Sequence, residues 1–211
     1  ASYKFALARS LAEVARAEDD LIKITDLAAP FSRHLCEHLI EAPIQAISKT
    51  SKFLDSCLQF NQQKISETQL NDATVRLGFV NVIDAFHVVN GEDVPVRFFL
   101  DERKANGGIR LTDAAHQLLL GPDALTIDDE VQSRWRLVET AWEMNISRNL
   151  ISVQHDTVDH SLFVSQGNGR KNITSARGAL NGYQKGHCFF CFGKISLSDM
   201  ELLPDVDHFF P

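Results

Sequence analysis

The chain has 211 residues, 44% of them apolar and 23% charged, with a formal net charge of −7. That is enough for one large or two small globular domains, and it argues against a protein that coats nucleic acid over its whole surface. No apolar run reaches the roughly 18 residues of a membrane span, and the first ten residues lack the basic-then-apolar order of a secretory signal. Four cysteines are too few for a disulfide scaffold, so a soluble, cytoplasmic protein with no membrane association is expected.

Residues 2–18 predict an amphipathic helix, with Ser2 as N-cap and Phe5, Leu7, Ala8, Leu11, Val14 and Ala15 near helical spacing. Ile22–Ile24 reads as a short strand. Thr25 or Asp26 is expected to cap a second helix to about Ile40, with Leu27, Phe31, Leu35 and Leu39 inward and Pro30 near its start. A third helix is predicted over 50–62, carrying Phe53, Leu54, Leu58 and Phe60, and a fourth over 71–86, weakened by Gly78. Cys36 and Cys57 fall among apolar helical neighbours and read as inert core thiols. His34 and His38 share a helix face but Cys36 does not, which disfavours a metal site there.

The period then changes. Val94–Leu100, the Asn106-Gly107-Gly108 turn and Ile109–Leu111 predict a hairpin over 94–112. Thr112 or Asp113 should start a helix that ends at Leu120, before Gly121-Pro122. A faint winged-helix character over 94–120 is not matched by the order of the elements. The strongest helical pattern runs from Asp128 to about Asn145, bearing Val131, Trp135, Leu137, Val138, Ala141 and Trp142. A second hairpin is expected from Leu150–Val153 and Leu162–Val164. His155-Asp156-Thr-Val-Asp159-His160 is its polar connection, and the histidines and acids there are better read as exposed turn groups than as ligands. A helix from about Thr174 to Tyr183 follows. The fold class expected is α+β: a mainly helical domain over 1–148, a hairpin and basic linker helix over 149–182, and a third segment over 183–211.

Charge is unevenly distributed. No Asp or Glu occurs between His160 and Ser198, where Arg170, Lys171, Arg177, Lys185 and Lys194 contribute +5, and four acids follow in the last 13 residues. A basic stretch before an acidic cluster suits a phosphate-binding surface beside a cation site, although a solvated basic face would look the same. Arg170, Lys171, Arg177 and Lys185 are the candidate DNA-backbone contacts. Within this stretch lies His187-Cys188-Phe-Phe-Cys191-Phe-Gly193-Lys194. A pair of cysteines spaced this way supplies half of a tetrahedral Zn²⁺ site, and Gly193 is expected to let the backbone fold back so that both thiolates meet one ion. On a regular strand the two would face opposite ways.

The chain closes on Asp205-Val206-Asp207-His208-Phe209-Phe210-Pro211. As a strand this places Asp205 and Asp207 on one face and His208 on the other. Carboxylate oxygens suit Mg²⁺ or Mn²⁺, and an imidazole titrating near neutrality accepts a proton from water; phosphodiester hydrolysis needs both.

With the cysteine pair upstream, residues 183–211 resemble the opening of an HNH (His-Me finger, ββα-metal) endonuclease of the restriction or CRISPR type. The resemblance implies His208 as general base, Asp207 as a ligand of the catalytic Mg²⁺ or Mn²⁺, and structural Zn²⁺ on Cys188 and Cys191. It further implies DNA as substrate and a role in restriction or phage defence, with a homo-oligomer or a defence-system protein as partner. The family's middle Asn and its final Asn or His are absent from these 211 residues, and its second cysteine pair would lie beyond Pro211. The expectation is therefore of a longer natural protein and an inactive 211-residue form. The alternative is a non-catalytic zinc-knuckle module that binds DNA or assembles a complex.

Overall fold

The computed structural model describes residues 2–16, 19–46, 50–89, 91–122, 124–143, 154–155, 162–163, 180–181, 184, 186–189 and 191–196. These residues form an α+β fold, mainly helical, with small antiparallel sheets. The chain divides into two compact units, residues 1–131 and 132–211, with the division falling inside one helix.

The first unit is organised around a helix whose apolar residues recur every fourth position. Helix α2 (Ile24–Glu41) buries Leu27, Phe31, Leu35 and Leu39 as its periodicity predicts. Helix α1 (Ser2–Val14) buries Ala6, Leu7 and Leu11, and α3 (Lys52–Asn61) buries Phe53, Leu54 and Cys57. Rings interlock across these helices. Phe31 meets Phe53, Phe79 and Tyr3 at centroid distances of 5.7, 4.6 and 6.0 Å, and the Tyr3 hydroxyl meets that of Ser51 at 2.8 Å. Leu58, on the same helix α3, is 38% exposed.

The expected Ser2 cap is not formed: Ser2 is itself the first helical residue, and its buried hydroxyl has no hydrogen-bond partner among the described residues. Neither Thr25 nor Asp26 caps α2. Lys23, in β1 (Leu21–Lys23), occupies that position, and the Ile24 amide donates to the Gly107 carbonyl at 3.0 Å. A backbone acceptor from another part of the chain thus satisfies one of the amides that a helix start leaves without an intrahelical partner.

The single helix expected over 71–86 is broken into α4 (Glu67–Ala73), a π turn (Thr74–Gly78) and the short α5 (Val82–Ala85). Helix α4 begins earlier than expected because Ser66 and Gln69 form a reciprocal capping box. The small strands β2 (Val88–Val89) and β3 (Glu92–Asp93) pair next. The hairpin near 94–112 is present but shorter than expected. Strand β4 (Phe99–Glu102) pairs with β5 (Gly108–Leu111) across a one-turn helix α6 (Arg103–Asn106), which closes on Gly107 at φ +67°. Strand β1 adds to the other edge of β5, giving the antiparallel order β1-β5-β4. Helix α7 (Asp113–Leu120) starts as expected, the Thr112 hydroxyl accepting the Ala115 amide.

Helix α8 spans Ala124–Glu143, starting earlier than its apolar pattern predicts, and fully buries Trp135. In the second unit, β6 (Gln154–His155) pairs with β7 (Leu162–Phe163). The first strand of that hairpin therefore includes residues expected in its polar connection; Leu150–Val153 and 156–161 lie outside the described residues. Of the helix expected over 174–183, Leu180 and Asn181 are described, and both are helical.

Candidate metal knuckle

The cysteine pair sits in a tight antiparallel turn whose backbone closes on itself. His187 pairs with Lys194. The Cys188 amide donates to the Gly193 carbonyl at 2.8 Å, and the Phe192 amide donates to the Cys188 carbonyl at 2.9 Å. Below this turn the Ile195 amide donates to the Gly186 carbonyl at 2.7 Å, with Gly186 at φ +72°. Both ends of the Cys188–Cys191 segment are thereby pinned. The chain departs from regular strand geometry, so strand alternation no longer sends the two thiols to opposite faces.

Two residues make the turn possible, and one of them differs from expectation. The left-handed backbone conformation belongs to Phe192, at φ +56°, whereas Gly193 has no positive φ. A bulky L-residue there costs about 1–2 kcal/mol relative to glycine. Gly193 is needed for space: a Cβ on it would lie 3.3 Å from the Cys191 sulfur. A side chain at 193 would therefore require the Cys191 side chain to shift by a few tenths of an ångström.

Cys188 is half-buried and Cys191 exposed. Accessible thiols on one turn fit half of a tetrahedral Zn²⁺ site, and two further ligands would have to come from elsewhere. Among the described residues, no group of three or more His, Cys, Asp or Glu is placed to hold a metal ion. Asp207 and His208, together with Arg170, Lys171, Arg177 and Lys185, lie outside the described residues. Around the turn, His187, Lys194, Phe189 and Phe192 are all exposed, the two rings at 69% and 78%.

Among the described residues, the histidines and cysteines of the first unit form no group that could hold a metal ion. Cys36 on α2 and Cys57 on α3 are buried side by side, the Cys36 thiol 3.8 Å from the Cys57 carbonyl oxygen. The neighbouring Cys36 thiol and burial push the Cys57 thiol well above its usual range, so it stays neutral. No sequence signal pairs these cysteines, because they come from different helices. His34 is almost fully buried, and its Nε2 lies 2.5 Å from a Glu13 carboxylate oxygen. Burial, and next the Arg9 guanidinium, hold His34 below the ordinary imidazole value, with Glu13 opposing. An apolar cavity of about 160 Å³, bordered by Leu11, Phe86, Phe98, Leu118, Ile127 and Val131 among others, offers no polar group for chemistry.

Compared with known proteins, the chain matches no family model, no curated protein and no solved structure.

Proposed function

We propose that this chain belongs to a metal-dependent DNA endonuclease of the HNH type, with a helical N-terminal region and a catalytic segment opening at about residue 183. The observation that carries the reading is the closed Cys188–Cys191 turn, which keeps Gly193 beside the Cys191 sulfur, with the Asp207-His208 pair following it in sequence. Cys188 and Cys191 hold structural Zn²⁺ together with two ligands from outside the turn. Asp207 holds a catalytic Mg²⁺ or Mn²⁺; when bound, that ion supplies positive charge against the scissile phosphate. The His208 imidazole accepts the proton of the attacking water, a role for which a group titrating near neutrality is suited. Arg170, Lys171, Arg177 and Lys185 contact phosphates, which positions DNA without reading its sequence. The middle Asn and final ligand of the family pattern are not among these 211 residues, and cleavage needs a chain that carries them.

Among the described residues, no helix is long and apolar enough to cross a membrane. A cytoplasmic enzyme of restriction or phage defence, working as a homo-oligomer or with a partner protein of the same system, is the setting we assign.

The test is plasmid nicking by the protein as its gene encodes it, with Mg²⁺ supplied. His208→Ala should lower the rate by about 10²-fold or more, the usual contribution of a general base, with bound zinc unchanged. Cys188→Ser should instead lower zinc content. Undiminished cleavage by His208→Ala would remove the catalytic assignment and leave the non-catalytic zinc-knuckle module.

A further inference from the structure

The cysteine turn exposes two phenylalanine rings, and one of them occupies a backbone position that disfavours it. Phe192 adopts φ +56° and is 78% exposed; Phe189, three residues earlier on the same turn, is 69% exposed. Folding alone would favour neither arrangement. Glycine serves a left-handed position with no Cβ penalty, and an exposed ring buries little apolar area. A large aromatic held there at a conformational cost points to something the ring touches outside the turn.

The charge of the neighbouring sequence bears on the class of that contact. Exposed His187 and Lys194 pair at the base of the turn. The sequence from 161 to 197 contains five Lys and Arg and no acid. An acid-free cationic stretch with exposed aromatic faces is the combination that binds single-stranded nucleic acid: cations follow the phosphates and unstacked bases lie on the rings. Duplex DNA keeps its base faces stacked and does not offer them.

We propose that Phe189 and Phe192 form a stacking platform for unpaired bases, so that the knuckle binds single-stranded DNA, or the unpaired part of a junction or flap, in preference to duplex. This deepens the endonuclease reading and rests on it for the identity of the nucleic acid as DNA. Stacking selects by strandedness and tolerates sequence, since every base has a π face. Lys194 supplies a phosphate contact beside the rings.

The experiment measures binding of a fluorescent oligo(dT), a duplex of the same length and an oligo(rU) to His208→Ala protein with Mg²⁺ omitted, so that cleavage plays no part. Oligo(dT) should bind most tightly. In that background Phe192→Gly should weaken oligo(dT) binding roughly five- to 100-fold, the range for loss of one stacked base, while zinc content and melting temperature hold or rise because the backbone strain is relieved. Phe189→Ala should weaken it similarly, and Phe192→Trp should retain it. Unchanged oligo(dT) affinity in Phe192→Gly would overturn the proposal, as would loss of zinc from that variant, which would make the ring structural. Tighter binding of duplex or of oligo(rU) would overturn the substrate class. A change in oligomeric state with no change in binding would assign the rings to a protein contact instead. Failure of the nuclease reading shows separately, as plasmid cleavage that His208→Ala does not diminish.

Discussion

His87 shows how one side chain can link packing to pH. Its Nε2 accepts the Phe98 amide proton at 2.9 Å, and its ring packs against Phe86 and Phe99 with centroids at 5.2 and 4.5 Å. An acceptor nitrogen must be unprotonated, so the fold selects the neutral imidazole. Burial, and then the nearby Arg97, hold His87 below the ordinary histidine value, and His34 is depressed in the same direction. Below about pH 6.5 the unfolded chain therefore takes up protons that the folded chain refuses. The stabilisation is complete above that value and is lost as pH falls toward the depressed folded values. Urea midpoints should drop between pH 7.5 and 5.5, and His87→Gln, which keeps an acceptor that does not titrate, should flatten part of the slope. An unchanged slope would remove His87 from the account. None of this was legible in the sequence, where His87 is one polar residue in an apolar run; its partner amide lies 11 residues away, across the β2-β3 hairpin.

At the scale of elements, what could be read depended on whether the determining contacts are local. The inward stripe of α2 and the Thr112 cap of α7 follow from residues within one helix, and both are present. The third strand of the sheet does not. Lys23 pairs with Gly108, 85 positions along the chain, and nothing in Leu21–Lys23 encodes that partner. Gly108 is nonetheless specified by it. A Cβ there would stand 2.2 Å from the Ile22 carbonyl oxygen, a backbone atom that cannot yield without moving the strand. Gly108→Ala should therefore cost more than about 2 kcal/mol in urea unfolding, toward the upper end of overpacking. A loss under about 0.5 kcal/mol, the scale of a neutral surface change, would mean that β1 is not held at this distance. Phe31→Ala tests the other half of the unit. It removes the ring shared by Tyr3, Phe53 and Phe79, and should cost about 3–5 kcal/mol in the same measurement.

At the scale of the whole chain, the four cysteines fall into two chemical populations, one in each unit. Cys36 and Cys57 are 4% and 0% exposed in the core of residues 1–131, packed by apolar side chains and by each other. Cys188 and Cys191 are accessible on the turn in residues 132–211. Apolar helical neighbours mark Cys36 and Cys57 as core thiols in the sequence, and both are buried. The contact between Cys36 and Cys57 and the left-handed Phe192 depend on three-dimensional closure and have no local signature. The core of the first unit is built from the helices and rings of residues 1–131, to which Cys188 and Cys191 do not belong. A chelator should consequently release zinc and expose two thiols to an aromatic disulfide reagent while most of the helical circular dichroism persists. The other two should react only at the denaturant concentration that unfolds the helices, because both thiols are buried and the Cys57 thiol is in addition held neutral. If all four reacted together on chelation, the helical core would depend on the metal, and the separation of the chain into a self-sufficient core and a metal-held turn would fail.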